Sequence, residues 1–226
     1  MIQNIPEVDR FKQQLQDSLQ HETMNSQAIK IAKHDHAYNC GDQDGMVYFI
    51  TSGQIKLLMH APDGKECILA IHTVGDIFGE LCLSGFGQRL ETAVAMTETE
   101  LKQIPSARFF ERIQRDSLYT GFVKYLALRI ADQQEVISNL VTVDSEQRLG
   151  KTLLQLARKL GKKDPRSIRI EHKISHEELS EMVGTTRPRI SKFMENFRTL
   201  GLIERNADHY LIIKETKLTE YLLSIA

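Results

Sequence analysis

The chain has 226 residues, 41% hydrophobic and 26% charged, which is typical of globular proteins and sufficient for two domains with separate cores. Its uncharged apolar runs fall short of the ~18 residues that a membrane span requires. The opening MIQNIPEVDR lacks the basic end and apolar block of a signal peptide. We therefore expect a cytoplasmic protein without a membrane segment.

The net charge of −1 conceals an asymmetry between the two parts of the chain. Residues 145–226 contain 16 Lys and Arg against 11 Asp and Glu, a net charge of +5, whereas residues 1–144 carry −6. A basic C-terminal part behind an acidic N-terminal part indicates that the C-terminal part meets a polyanion.

The sequence offers little support for a metal site or an enzyme. Cys40, Cys67 and Cys82 are too widely spaced for a disulfide framework or a metal knot, and we expect small buried hydrophobic side chains there. His34 and His36 alternate on one face of a predicted strand, which is a weak pattern for a metal. We find no nucleophile and base, no metal-ligand set and no phosphate loop, so the chain is not predicted to be an enzyme.

The N-terminal half changes from helix to strands. Residues 7–22 predict a short amphipathic helix, because Phe11, Leu15 and Leu19 recur at a spacing of four. From about residue 28 to residue 104, short apolar runs alternate with turn signals. The segment Pro62–Gly64 predicts a hairpin turn between two strands. Several short strands at close intervals predict a β-sandwich or barrel, and a parallel α/β sheet is not expected.

Helices follow Pro105. Residues 106–116 predict one short helix and residues 117–142 a longer helix. Apolar residues recur along the longer helix at alternating steps of four and three, a heptad pattern that favours a two-stranded coiled coil between two copies of the chain. The seam contains Tyr119, Val123, Leu126, Ile130, Gln133, Ile137 and Leu140. The alternative, that this stripe packs on its own domain, stays open.

The C-terminal part begins with a helix over QRLGKTLLQLARKLG, followed by a polar loop, two short helices and a strand pair. Ser175 and Glu178 form a predicted capping box at the start of the first short helix, and Gly184 ends it. Thr185 or Thr186 can cap the second short helix, and Gly201 ends it. Two helices joined by a short glycine-containing turn predict a helix-turn-helix, and a hairpin turning at residues 206–208 makes it a winged helix.

The second short helix carries a polar cluster beside its apolar stripe of Ile190, Phe193, Met194 and Phe197. Side chains near the N-terminus of a recognition helix reach base edges in the major groove of DNA. The predicted DNA-binding residues are Thr185, Thr186, Arg187, Pro188, Arg189, Ser191 and Lys192. Arginine can bond guanine with two hydrogen bonds, whereas Lys192 and Thr185 suit phosphate contacts.

The chain contains the stretches GDQDGMVYFITSGQIKLL, GDIFGELCL, RLETAVAMTETEL, DSEQRLGKTLL and ISHEELSEMVGTTRPRISKFMENF. Taken together, they resemble the cyclic-AMP receptor protein/fumarate-nitrate regulator (Crp/Fnr) family of bacterial transcription factors over nearly the whole chain. The resemblance implies an α+β chain in three parts. These are a jelly-roll sensor domain over residues 1–116, a dimerisation helix over 117–143 and a winged helix-turn-helix over 144–226. It further implies a homodimer that binds near-palindromic double-stranded DNA and contacts RNA polymerase.

In the cyclic-nucleotide-binding members, a Gly-Glu pair and a following arginine hold the phosphate and ribose. The matching effector-binding residues here are Gly79, Glu80, Leu81, Arg89, Leu90, Gln133 and Gln134. Leu90 stands where those members have a small hydroxyl residue, and Gln133-Gln134 where they have Thr-Ser. In the recognition helix, Pro188 stands where the family has a glutamate that reads a base, so the family's best-known operator is not expected.

The resemblance leaves the effector open. The site could hold a cyclic nucleotide, another effector or none, and the N-terminal cysteine cluster of iron–sulfur members is missing. We predict no certain cofactor, and a cyclic nucleotide is the first effector to test. The alternatives are a ligand-independent regulator with a non-functional pocket, and a nucleotide-sensing module that acts on a protein partner.

Overall fold

The structure is a computed structural model that describes residues 6–20 and 26–225. The chain divides into two compact units, Met1–Gln134 and Glu135–Ala226. The first unit and the long helix contain α1 (Pro6–Gln20), β1 (Gln27–Ile31), β2 (His36–Tyr38), β3 (Met46–Ser52), β4 (Gln54–His60), β5 (Glu66–Thr73), β6 (Ile77–Phe78), a 3₁₀ helix (Glu80–Ser84), β7 (Thr92–Ala95), β8 (Thr99–Pro105), α2 (Ser106–Arg115) and α3 (Tyr119–Thr142). The second unit continues with α4 (Ser145–Leu160), β9 (Gly161–Asp164), β10 (Ser167–Ile170), α5 (His176–Val183), α6 (Arg187–Thr199), β11 (Ile203–Arg205), β12 (Leu211–Ile213) and α7 (Glu215–Ser224).

Two four-stranded antiparallel sheets build the first unit, with strand orders β1-β8-β3-β6 and β2-β7-β4-β5. Tyr38, Ile55 and Ala93 from one sheet pack with Tyr48 and Leu101 from the other in a single buried cluster. The β4–β5 hairpin turns between His60 and Glu66, as the PDG segment predicts. The expected sandwich and the α+β fold class are confirmed.

Strand β3 shows how the alternation of side chains joins this sandwich to the helices. Tyr48 and Ile50 face the cluster between the sheets, whereas Val47 and Phe49 belong to a second buried cluster with α1, α2 and the first half of α3. Successive residues of a strand point to opposite faces, so one continuous apolar run can supply both cores. Phe11 of α1 packs on Phe122 of α3, with ring centroids 6.1 Å apart.

The second unit is built around α4, whose buried face contains Leu149, Leu153 and Leu160. A four-stranded antiparallel sheet of order β11-β12-β10-β9 accompanies helices α4 to α7. Asp144 caps α4 by accepting hydrogen bonds from the backbone N–H groups of residues 146 and 147. The domain boundaries predicted after residues 116 and 143 remain predictions.

Among the described residues, no helix is long and apolar enough to cross a membrane.

Several local predictions were wrong. The polar loop expected after α4 contains the β9–β10 hairpin, whose residue 167 pairs with residue 164. Cys40 and Cys67 are exposed, so only Cys82 keeps a partly buried position. His34 lies in a turn with a left-handed φ of 74°, and not on the strand that contains His36. Positions 21 and 22 of the predicted first helix lie outside the described residues.

Candidate nucleic-acid interface and effector site

The helix-turn-helix begins with the predicted capping box. The Ser175 hydroxyl accepts from the backbone N–H of Glu178, and the Glu178 side chain accepts from the backbone N–H of Ser175. Gly184 ends α5 in the left-handed conformation, with φ 67°. Thr186 occupies the N-cap position of α6, but the prediction that a threonine side chain caps this helix is wrong, because no side-chain hydrogen bond forms there.

Helix α6 separates an apolar face from a polar face. Ile190, Met194 and Phe197 are buried, and Phe193 is half-buried. The exposed residues are Thr186, Arg187, Pro188, Arg189, Ser191 and Lys192, and Thr185 is half-buried. Pro188 lies in the first helical turn, where a missing N–H costs no hydrogen bond.

The basic side chains of this face are not neutralised by the protein itself. Within the described ranges 6–20 and 26–225, Arg187, Arg189 and Lys192 form no ion pair. Exposed cations without acidic partners near the start of a recognition helix suit a polyanion such as DNA. The predicted wing is present, because β11 and β12 pair antiparallel on either side of a turn at residues 206–210.

The sequence reasoning missed His176 and Arg205, which lie beside the polar face of α6. The Nδ1 atom of His176 lies 2.8 Å from the Ser191 hydroxyl, and its Nε2 atom lies 3.2 Å from a guanidinium nitrogen of Arg205. No sequence signal links these positions, because they are 15 and 29 residues apart. Burial and the nearby Arg205 and Arg187 lower the pKa of His176.

In the first unit, Gly79 and Arg89 meet as the resemblance implies. One Nη of Arg89 donates to the Gly79 carbonyl at 2.7 Å, and the other donates to the Met46 carbonyl at 2.5 Å and to the Asp44 carboxylate. The guanidinium also lies 4.1 Å above the centre of the Tyr38 ring. Arg89 lies in the loop before β7.

Asp44 belongs to the candidate effector site, and the sequence reasoning missed it. Its carboxylate accepts from the Tyr48 hydroxyl at 3.0 Å and forms an ion pair with Arg89. Burial and Asp44 raise the pKa of Tyr48 to about 12, so its hydroxyl stays protonated and donates to Asp44. Asp44 therefore already balances the charge of the buried Arg89.

Glu80 is held by the long helix. Its carboxylate lies 2.6 Å from Arg129 of α3, and Arg129 also donates to the Ile77 carbonyl at 3.4 Å. Arg129 stands off the heptad seam, which was the available signal that it faces its own domain. Among the described residues, buried side-chain atoms without a hydrogen-bond partner include Nε of Arg89 and Oε2 of Glu80.

The remaining predicted effector residues are on the surface. Leu81 and Leu90 are 42% and 44% exposed. Gln133 and Gln134 are exposed on α3, and neither side chain hydrogen-bonds another described residue. Histidine, cysteine and carboxylate groups within the described part of the chain form no cluster suited to a metal ion.

A jelly-roll-like sandwich, a long helix and a winged helix-turn-helix together define a class of DNA-binding transcription regulators. The family model "Cyclic nucleotide-binding domain" matches residues 28–116, and the model "Crp-like helix-turn-helix domain" matches residues 147–221.

Relatives of known role share much of the chain. The cAMP-activated global transcriptional regulator Vfr of Pseudomonas aeruginosa is 31% identical over 170 residues, which cover 72% of this chain and 78% of Vfr. The global nitrogen regulator of Synechococcus elongatus is 32% identical over 168 residues, 72% of this chain and 75% of that protein. A CooA mutant from Carboxydothermus hydrogenoformans has a structure similar to this one, with a TM-score of 0.76, 26% identity and coverage of 91% and 94%.

The chain belongs to the Crp/Fnr family. It is a DNA-binding transcription regulator and, like the family, not an enzyme, as the sequence analysis predicts.

Proposed function

We propose that the chain is a cytoplasmic homodimer that reads a near-palindromic operator with two copies of α6, contacts RNA polymerase and responds to a small effector in the sensor domain. The observation that carries the proposal is the exposed, unpaired basic face of α6 on a helix-turn-helix. In a symmetric dimer, two such helices enter successive major grooves about 34–36 Å apart.

Arg187 and Arg189 are assigned to base reading, because both extend from the first turn of α6. Lys192 and Thr185 are assigned to phosphate contacts, which position the protein without reading sequence. Pro188 has no side-chain donor or acceptor, so it cannot replace an acidic base contact. The operator should therefore differ from that of relatives with a glutamate at this position.

The experiment is a selection of operators from random DNA, followed by affinity measurements over a range of salt concentrations. We expect a near-palindrome and a steep fall in affinity with salt, because phosphate contacts release counterions. Salt-independent or undetectable DNA binding would reject this proposal and favour the alternative in which the chain acts on a protein partner.

The exposed side of α3 supports the dimer. Tyr119, Val123, Ile130, Ile137 and Leu140 are each at least 47% exposed in the single chain. Leu126 is half-buried and packs against the sensor core, and Gln133 is exposed. A solvent-exposed apolar row at heptad spacing is stabilised when a second copy covers it.

Ile137→Asp tests the dimer, with Ser138→Asp as the matched control. Ile137 lies on the seam, whereas the neighbouring exposed Ser138 lies off it. In sedimentation experiments we expect Ile137→Asp to be monomeric and Ser138→Asp to be dimeric. A dimer in both variants would remove α3 from the interface.

The effector proposal depends on two unsatisfied atoms. Nε of Arg89 can donate to an anion, and Oε2 of Glu80 can accept from a hydroxyl, while both atoms are buried without a partner. A cyclic nucleotide supplies both a phosphate and a ribose hydroxyl, so these residues fit it. The family model for cyclic-nucleotide binding and the cAMP-activated relatives support this effector class.

Calorimetry of ligand-stripped protein with cyclic AMP and cyclic GMP tests this effector. Arg89→Lys keeps the cation that pairs with Asp44 and removes the free Nε, so we expect saturable binding in the wild type and none in the variant. Arg108→Lys, at an exposed ion pair with Glu111, is the control. Failure of every cyclic nucleotide to bind, with full DNA affinity in stripped protein, would favour the ligand-independent alternative.

A further inference from the structure

A basic cleft lies between the start of α5, the start of α6 and the base of the β11–β12 wing. Its volume is about 350 Å³, and its lining includes Lys173, His176, Arg187, Arg205 and His209. Of the described residues that line the cleft, none has a carboxylate side chain. A small concave site with several cationic donors and no acid suits an anion of the size of a phosphate.

The hydrogen bonds of His176 fix which of its ring nitrogens carries the proton. Arginine has only donors, so Nε2 of His176 must accept from Arg205, across 3.2 Å. In a neutral ring, Nδ1 then carries the hydrogen and donates to the Ser191 hydroxyl, 2.8 Å away. The Ser191 hydroxyl hydrogen stays available to donate to DNA.

His176 thereby links two DNA-facing elements. Ser191 lies on the polar face of α6, and Arg205 is the last residue of strand β11 in the wing. Arg205 is exposed and has no carboxylate partner among the described residues. A long exposed arginine samples many rotamers, and a hydrogen bond that it donates to a neighbouring ring reduces that freedom before DNA binds.

We propose that His176 is a positioning residue for DNA binding, which holds Arg205 of the wing in the cleft beside the start of α6, so that the Arg205 guanidinium contacts a backbone phosphate of the operator. This inference rests on the proposed reading of DNA by α6. His176 acts through Arg205 and through the orientation of the wing toward the recognition helix. Lys192, by contrast, is assigned to a phosphate contact that does not depend on a positioning residue.

The test measures DNA affinity of the full-length dimer against salt for the selected operator and for a scrambled duplex. Arg205→Ala should weaken binding to both duplexes on the order of tenfold, because phosphate contacts carry no sequence information. Each protomer of the variant should neutralise one phosphate fewer, and the slope of log affinity against log salt should fall by about 0.9 for each such phosphate. Arg166→Ala, an exposed arginine in the β9–β10 turn, controls for the removal of one positive charge.

His176→Ala should reproduce the affinity loss and the smaller slope of Arg205→Ala, and the double variant should be no weaker than either single variant. His176→Gln, whose side-chain oxygen can accept from Arg205, should recover part of the affinity. Thermal unfolding of each variant separates positioning from folding. Additive losses, or an unchanged slope in His176→Ala, would overturn the proposal.

Two further arms keep the outcomes distinct. Inorganic phosphate at millimolar concentration should stabilise the wild type against heat only weakly, since the cleft is assigned to phosphate within DNA. Strong thermal stabilisation by phosphate that persists in Arg205→Ala would also overturn the positioning role of His176. Absence of salt-dependent DNA binding in the wild type would instead reject the proposed function itself.

Discussion

Gly79→Ala tests the geometry on which the effector site depends. Gly79 has a left-handed φ of 75°. A Cβ added there would lie 2.8 Å from Nη1 of Arg89, 3.1 Å from the Met46 carbonyl oxygen and 3.1 Å from the Tyr48 ring. Arg89 cannot withdraw easily, because its guanidinium is buried and donates to the Gly79 carbonyl.

The expected loss has two parts. The left-handed conformation costs a residue with a Cβ about 1–2 kcal/mol. Overpacking against a carbonyl and a buried ring adds about 1–3 kcal/mol, because the neighbours must shift. We therefore expect Gly79→Ala to lower the free energy of unfolding of the sensor unit by about 2–5 kcal/mol.

Gly85→Ala is the matched control. Gly85 has a similar φ of 86°, and nothing lies within 4 Å of a Cβ added there. It should lose only the conformational part, about 1–2 kcal/mol. The difference between the two variants therefore measures the packing around Gly79.

The assay is urea unfolding at a fixed dimer concentration, followed by tyrosine fluorescence, because the chain has no tryptophan. Tyr48 touches the substituted position and reports on it directly. Equal losses in the two variants would show that Arg89 and the Met46 carbonyl do not close around Gly79, and the effector geometry would be refuted.

Three other predictions concern the C-terminal unit. Ser175→Ala removes the capping box and should lower stability by about 0.5–2 kcal/mol in thermal unfolding; no loss would show that the cap is redundant. The pKa of His176 is lowered from 6.5, so the unfolded chain binds its proton more readily. Its contribution to stability is present above about pH 6.5 and is lost as the pH falls through the lower folded pKa. Wild type should lose more stability than His176→Gln from pH 7 to 5, and parallel pH profiles would contradict this. Arg187→Ala should weaken operator binding more than scrambled-DNA binding, whereas Lys192→Ala should weaken both equally; equal losses for Arg187→Ala would reduce it to a phosphate contact.

Elements with a strong period were predictable from the sequence. The four-residue spacing of Phe11 and Leu15 and the heptad steps of α3 each correspond to a helix. The capping box at Ser175 was predictable because the pattern is local and both of its partners lie within one turn. In each case the interaction that stabilises the element is encoded within a few neighbouring residues.

Short polar elements were missed. The segment GKKDPRSIRI forms the β9–β10 hairpin, and the only signal was the alternation of Ile168 and Ile170 with polar residues. Helix α7 was also overlooked, although the buried Leu218 and Leu222 recur at a spacing of four. Strand β10 also pairs with β12 through Ile168 and Ile213, and Leu222 of α7 lies against Gly150 of α4. A local reading of propensity does not contain such contacts between residues distant in the chain.

The roles of the site arginines could not be predicted from the sequence either, because each role depends on the folded environment of the side chain. Arg89 and Arg187 are the same residue type, and each lies in a stretch of sequence that carries the family resemblance. Folding buries Arg89 to 4% exposure beside Asp44, whereas Arg187 is exposed without an acidic partner among the described residues. Because Asp44 already neutralises Arg89, a ligand at this position can only add to the contacts that Arg89 makes. The effector proposal therefore depends on the Nε atom of Arg89, which has no hydrogen-bond partner. An unpaired exposed cation can neutralise a phosphate or bond a base directly, and this is why α6 carries the DNA proposal.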